Sequence, residues 1–399
     1  MIILPIARKV EEFIERSSWI RRMFEEGARL KSEHGPENVF DFSLGNPNLE
    51  PPSEFNRVMA ELVSDERPGL HGYMPNAGYP ETRAAVARTV SVEQQTEVPA
   101  ENVVMTTGAG GALNVALKAL LDPGDEVLVP RPYFVEYDFY VDNHGGSLRT
   151  VPTREDFSLD ITAFASALGE RTKAIIINSP NNPTGRVYDA ESLVRLGGLL
   201  EEFRRETGRT VYLLSDEPYR HIVYDGVQVP PVMGVYPHTI VASSYSKDLS
   251  LAGERIGYLA VHPGAEDREK LMAGLVLANR ILGFVNAPAL MQRAVARLQG
   301  VSVDLDLYRR NRALLYEGLI EAGYRVPRPE GAFYLFPQAP GGDDVAFVRA
   351  LQDELVLAVP GSGFGGPGSF RLSYCVSTET VRGGLPILER VYRRFQGSF

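Results

Sequence analysis

The stretch KAIIINSPNNPTG, Lys173–Gly185, joins an apolar, β-branched run to a block of turn-forming residues. Proline fixes φ, and Asn and Gly favour turns, so the second half reads as a loop. A plain loop does not require Asn182, Pro183, Thr184 and Gly185 together directly after IIIN. An Asn in that place can donate from its amide to a ligand oxygen. The same kind of junction recurs along the chain. Apolar runs stand at NVVMTTG from Asn102, DEVLVP from Asp125, TVYLLSDE from Thr210, HTIVASSYS from His238 and RIGYLAV from Arg255. Helix-like stretches such as GALNVALKALL and AESLVRLGGLLEEFRRE lie between several of them. Strands alternating with helices predict an α/β domain with a mostly parallel sheet.

Composition narrows the function classes. The chain has 399 residues, 44% hydrophobic and 23% charged, which is ordinary globular composition with room for a large core and a second domain. Lys plus Arg is 41 against 51 Asp plus Glu, a net charge of −10 with no basic run, which argues against nucleic acid or an anionic membrane as partner. The single cysteine, Cys375, cannot close an internal disulfide and fits a reducing, cytoplasmic setting. The apolar run Met1–Ile6 is short for a signal-peptide core, and no segment approaches the length of a membrane span. The six histidines form no i, i+4 pair and have no cysteine nearby, so no metal site is expected.

Val10, Phe13, Ile14, Ile20 and Met23 fall at helical spacing and predict one or two N-terminal amphipathic helices. After Ala289 the pattern changes. One long helical stretch, from Met291 through LYRRNRALLYEGLIEAG, leads into strand-like GAFYLFP and FRLSYCVS and a helical C-terminal stretch. PGSGFGGPGSF, from Pro360, reads as a mobile loop. The expected division is a large domain over residues 46–289 and a smaller α+β domain from residues 1–45 and 290–399.

In parallel sheets ligands bind beyond the carboxyl ends of the strands. Four such ends here carry TTGAGG, NSPNNPTG, SDEPY and SSYSK. Gly108, Ala109 and Gly110 would offer backbone N–H groups at the positive end of a helix, an anion site, although a tight strand–helix turn needs the same residues. Asp216 ends a strand, where a buried carboxylate is costly unless paired, and Tyr219 lies three residues on. Lys247 stands among hydroxyls, with Arg255 eight residues later. Together these match the needs of pyridoxal 5′-phosphate: a lysine for its aldehyde, a carboxylate for its ring nitrogen, and N–H groups, hydroxyls and a planar guanidinium for its phosphate.

At these residues the chain resembles the class I/II aminotransferases of the type I pyridoxal-phosphate fold, over nearly its whole length from DFSLGNPN to FRLSY. The resemblance implies a mostly parallel seven-stranded sheet flanked by helices. It implies Lys247 as Schiff-base lysine and proton shuttle, Asp216 at the ring nitrogen, and Asn182 and Tyr219 at the ring hydroxyl oxygen. Gly108 opens the phosphate turn, and Ala109, Gly110, Ser244, Ser246 and Arg255 hold the phosphate. Some relatives carry a hydroxyl residue where Gly110 stands, and some aspartate-using ones a lysine. In PRPYFVEY the ring stack falls to Phe134, with Tyr133 as the alternative. Arg371 of FRLSY corresponds to the clamp on the substrate α-carboxylate, helped by Asn182 and the backbone of Gly45. Tyr73 corresponds to a tyrosine that crosses to the partner subunit's phosphate, which implies a homodimer with shared sites. The implied activity is ping-pong transfer of an amino group from an L-amino acid to a 2-oxo acid. A same-fold C–S β-lyase, an aminocyclopropane-carboxylate-synthase-like enzyme and a non-catalytic effector-sensing module are the alternatives.

Overall fold

The computed structural model of the chain describes residues 5–16 and 18–396. They divide into two compact units. The large one comprises Pro47–Leu305 and Glu330–Ala332, and the small one Met1–Asn46, Asp306–Pro329 and Phe333–Phe399.

The large unit is built on seven strands: β1 Val103–Thr106, β2 Glu126–Arg131, β3 Ser147–Pro152, β4 Thr172–Asn178, β5 Tyr212–Asp216, β6 Thr239–Ser244 and β7 Gly257–Val261. Their order across the sheet is β1-β7-β6-β5-β4-β2-β3. All pairs are parallel except those of β7, which runs antiparallel to both β6 and β1. In β4 alternate residues serve two cores: Ile175 and Ile177 join the one around Leu213 and Val241, Ala174 and Ile176 the one around Leu214 and Ala242. Burial on both faces explains the unbroken apolar run. β3 has no counterpart among the six runs read from sequence. It is the edge strand, pairs with β2 alone, and keeps only Val151 buried, so SLRTVP carries no apolar signal.

The structure corrects the expected domain boundary at residues 289/290. The helix Ala289–Arg297 buries Met291, Ala294 and Val295 and packs on the helices Ser53–Val63 and Pro80–Glu93, which keeps it in the large unit. The single helical stretch expected there is two helices, Ala289–Arg297 and Asp306–Ala322. Between them Gly300 takes a left-handed φ of 79°, and the Val303 N–H donates to the Asp248 carbonyl at 2.7 Å.

The small unit carries β8 Tyr334–Leu335, β9 Val359–Pro360 and β10 Phe370–Ser373 in antiparallel order β9-β10-β8. Phe40–Asp41 pairs in parallel with Val356–Leu357. The helices Asp306–Ala322, Asp344–Gln352 and Thr378–Gln396 pack around these strands. At the N-terminus Arg8–Arg16 and Ser18–His34 are helical, and Val10 and Ile14 are exposed. Met1–Leu4 and the side chains of Ile20 and Met23 lie outside the described residues.

The Gly-rich segment from Pro360 is a pinned turn rather than a mobile loop. Phe364 is buried, and the Asp344 carboxylate accepts from Ser362 N at 2.7 Å, Ser362 Oγ at 3.0 Å and Gly368 N at 3.1 Å. Asp344→Ala strands two backbone N–H groups at about 1–3 kcal/mol each. The expected result is a lower unfolding midpoint in urea and new proteolytic cuts between residues 361 and 369. Wild-type resistance to both would remove the pin.

Candidate active site

The carboxyl edge of the large sheet gathers nearly all the residues singled out in sequence. Strand register places Asn178 beside Asp216, Asp216 beside Ala242, Ser244 beside Gly257, and Gly257 beside Thr106. The antiparallel direction of β7 matters here. Its beginning, not its end, lies at this edge, so Arg255, two residues before the strand, is delivered between the ends of β1 and β6.

Asp216 is 5% exposed. Its Oδ2 accepts from the Tyr137 hydroxyl at 2.5 Å and, at 3.4 Å, from the Asn178 amide, which also donates to the Asp216 carbonyl at 2.9 Å. Its Oδ1 is buried with no hydrogen-bond partner among the described residues. Burial pushes this carboxyl up to about 7; the Tyr137 hydrogen bond opposes the rise and the neighbouring Glu217 adds to it. Asn178 Oδ1 accepts from the Asn182 backbone at 2.7 Å, so one amide ties the NNPTG turn to the Asp216 strand. Tyr137 and Asn178 went unassigned in the sequence reading. Asn178 was visible as the polar end of IIIN, whereas nothing local marks Tyr137.

Phe134 packs edge-on against Tyr137, with ring centroids 5.5 Å apart, which puts it next to the Asp216 partner. Tyr133 is nearly buried and donates to Asp138 at 2.8 Å, so of the two candidate rings Phe134 is the one associated with the carboxylate. Lys247 Nζ lies 5.8 Å from the centre of the buried Tyr219 ring.

On the other side of the edge is a cluster of donors. The helix Gly108–Leu120 begins without a side-chain cap, leaving first-turn N–H groups open. Arg255 is exposed, and its guanidinium crowds that helix end: a Cβ on Gly108, itself at φ +79°, would stand 2.8 Å from Nη2. Arg255 is held there by Nη1 donating to the Ala252 carbonyl at 3.0 Å. Its backbone is left-handed at φ 52°, a conformation that costs a non-glycine residue about 1–2 kcal/mol. The hydroxyls of Ser244 and Ser246, both in residues under 9% exposed, make no hydrogen bond among the described residues. A guanidinium beside the positive end of a helix, with hydroxyls on the neighbouring strand end, is an arrangement that suits an anion.

Beneath the edge runs a charge network. Buried Glu217 accepts from Ser215 at 2.7 Å, Arg220 at 2.9 Å and Gln94 at 3.0 Å. His221 lies between Glu93 at 2.8 Å and Asp248 at 3.1 Å. Burial works to lower its pKa, but the hydrogen bonds and charges of Asp248 and Glu93 together raise it to about 10. The imidazolium therefore ties the residue after Lys247 to the turn that carries Tyr219. No group of metal-ligating side chains occurs among the described residues.

Arg371 and Gly45 belong to the small unit. Arg371 is 3% exposed on β10, donates to the Ser43 carbonyl at 2.7 Å, and lies 4.7 Å from the Tyr334 ring centre and 4.6 Å from that of Phe364. Gly45 leaves room for the Tyr334 hydroxyl, since a Cβ there would collide with it. Tyr73, in the large unit, is 93% exposed.

Asp216 yields a signed pH test. Its pKa in the fold is raised above the ordinary 3.8, so the cofactor-free protein loses stability as pH climbs from about 4 to about 7. At about 1.4 kcal/mol per pH unit, the loss is on the order of 4 kcal/mol. Asp216→Asn removes that slope, so urea unfolding should show its advantage over wild type growing between pH 4.5 and pH 8. A constant difference across that range contradicts the buried-carboxylate account.

The chain matches the family model for aminotransferase class I and II over residues 37–386. It is 32% identical to the probable aspartate aminotransferase of Methanocaldococcus jannaschii, over 89% of this chain and 94% of that protein. It is 35% identical to the aspartate/prephenate aminotransferase of Thermus thermophilus, over 88% and 90%. Among solved structures, an aminotransferase from Eubacterium rectale superposes with a TM-score of 0.95 at 41% identity, covering 98% of this chain and all of that one. The aspartate aminotransferase of Thermus thermophilus with maleate gives 0.86 at 30% identity, covering 98% and 100%. The chain belongs to the class I and II aminotransferases, the pyridoxal-phosphate-dependent transferases of the type I fold.

Proposed function

We propose that the protein moves the α-amino group of an L-amino acid to a 2-oxo acid in a ping-pong cycle, with Lys247 as the proton-carrying base. The observation that carries this reading is the buried Asp216 Oδ1, an acceptor with no partner among the described residues, on the same sheet edge as an uncapped helix end crowded by Arg255. Acceptor and anion cradle are what the family's cofactor requires at its two ends, so the residues fit pyridoxal 5′-phosphate. When bound, that group supplies an electron sink for the substrate Cα.

The chain's own residues do the rest. Lys247 Nζ would hold the cofactor's aldehyde and serve as the base for the substrate Cα proton. Asp216 would serve the ring nitrogen and favour its protonated form, and a cation there would favour the ionised carboxyl. Asn182 and Tyr219 are assigned to the ring hydroxyl oxygen and Phe134 to the ring face. Gly108, Ala109, Gly110, Ser244, Ser246 and Arg255 are assigned to the phosphate. Arg371 is assigned to the substrate α-carboxylate, helped by Asn182 and the backbone of Gly45. Its planar fork suits a carboxylate and fixes orientation. The exposure of Tyr73 supports a homodimer in which this ring serves the partner's site, and the single buried cysteine supports a cytoplasmic setting.

Absorbance spectra of the purified protein, before and after single amino acids, test the cycle. The expected result is a cofactor band that one donor converts to the aminated form in wild type but not in Lys247→Ala. Normal turnover by that variant would remove Lys247 from its role. Arg371→Lys keeps the charge but loses the fork, and KM for the amino acid should rise about 10- to 100-fold, the worth of a charge-assisted hydrogen bond. An unchanged KM would unseat the carboxylate assignment.

A further inference from the structure

The short helix Glu136–Asp142 turns two tyrosines to work at the same edge. Tyr137 is spent on Asp216. Tyr140, three residues on, makes no hydrogen bond among the described residues, although it is half-buried against the core around Tyr137 and Leu113. Its hydroxyl stands 2.9 Å from the place a Cβ would occupy on Gly110. Tyr140 also interacts electrostatically with Arg255 and Asp216, the two charges that bracket the proposed cofactor site. So an idle hydroxyl fills the space where residue 110 would carry a side chain, at the first turn of an uncapped helix and within the field of the guanidinium. Burial raises its pKa to about 12, and it stays a donor throughout the working pH range.

We propose that Tyr140 is a phosphate-binding residue: its hydroxyl donates to the phosphate monoester held at the start of the Gly108–Leu120 helix, in the place of a side chain at position 110. This rests on the pyridoxal-phosphate reading above. Gly110 and Tyr140 then form one unit, because a larger residue at 110 and the tyrosine hydroxyl compete for the same volume. The first turn offers backbone N–H groups along its axis; the tyrosine adds a donor from the side, out of a separate element.

Equilibrium binding of pyridoxal 5′-phosphate and of phosphate-free pyridoxal to the cofactor-stripped full chain tests this, by fluorescence or absorbance titration. Tyr140→Phe should weaken binding of the phosphorylated compound about tenfold or more, as the loss of a hydrogen bond to a charged group does. Pyridoxal binding should not change. Melting of the cofactor-free variant should match wild type, because the hydroxyl has no partner within the chain to lose. Gly110→Ser alone should also weaken phosphate-dependent binding, since its Cβ meets Tyr140. The Tyr140→Phe, Gly110→Ser double variant should recover part of the loss by supplying the hydroxyl from the helix itself. Equal weakening of both compounds, or of neither, overturns the assignment to phosphate. If wild type binds the two compounds equally, the cofactor reading itself fails, and this proposal with it.

Discussion

The structure turns on one buried carboxylate. Burying Asp216 is unfavourable by desolvation, which is why its carboxyl sits near 7 and not below 4. Only one of its oxygens is served by the protein, by Tyr137 and Asn178. Those two donors fix the direction of the other. A carboxylate free to rotate could turn Oδ1 towards solvent or towards the backbone. Held at Oδ2, it keeps Oδ1 buried with no hydrogen-bond partner among the described residues, and its burial cost appears as the raised pKa. The tip of β5 is thus less stable alone than it need be, in the sense in which functional sites commonly carry stored cost.

Strand direction solves a second electrostatic problem. A parallel β7 would have put Arg255 at the opposite end of the sheet from Thr106 and Ser244. Reversing it brings a guanidinium to the carboxyl edge without a long connection, at the price of a left-handed backbone at Arg255. The guanidinium then opposes a helix end of like sign. Carbonyls of Ala252 and Thr107 accept from it there, at 3.0 and 3.4 Å. Below, Glu217, Arg220, Glu93, His221 and Asp248 alternate in sign along one chain of ion pairs, three carboxylates held by two cations.

Much of this was legible before the structure. Six of the seven strands stand out because they are buried on one or both faces, and NNPTG, DEPY and SYSK mark their ends without any knowledge of pairing. What stayed hidden depends on tertiary neighbours. β3 is a strand because β2 lies beside it, not because SLRTVP is apolar. The Gly-rich turn at 361–368 is ordered by Asp344, which precedes it by many residues. The break after Arg297 rests on Gly300 and a hydrogen bond to Asp248, against a helical periodicity that continues across it. Tyr137 and Tyr140 look like ordinary core aromatics in sequence, and only their hydroxyl environments separate them.

Arg371 shows how a buried charge is held by rings and backbone in the small unit. Its guanidinium lies close to the rings of Tyr334 and Phe364, and one nitrogen donates to the Ser43 carbonyl. Ring faces attract the cation modestly, by about 0.5–2 kcal/mol each. Packing against two rings restricts the rotamers of this long side chain. Gly45 belongs to the same device, because the Tyr334 hydroxyl occupies the volume its Cβ would take. A side chain at position 45 would therefore be felt at Arg371 through the tilt of one ring, without touching the guanidinium.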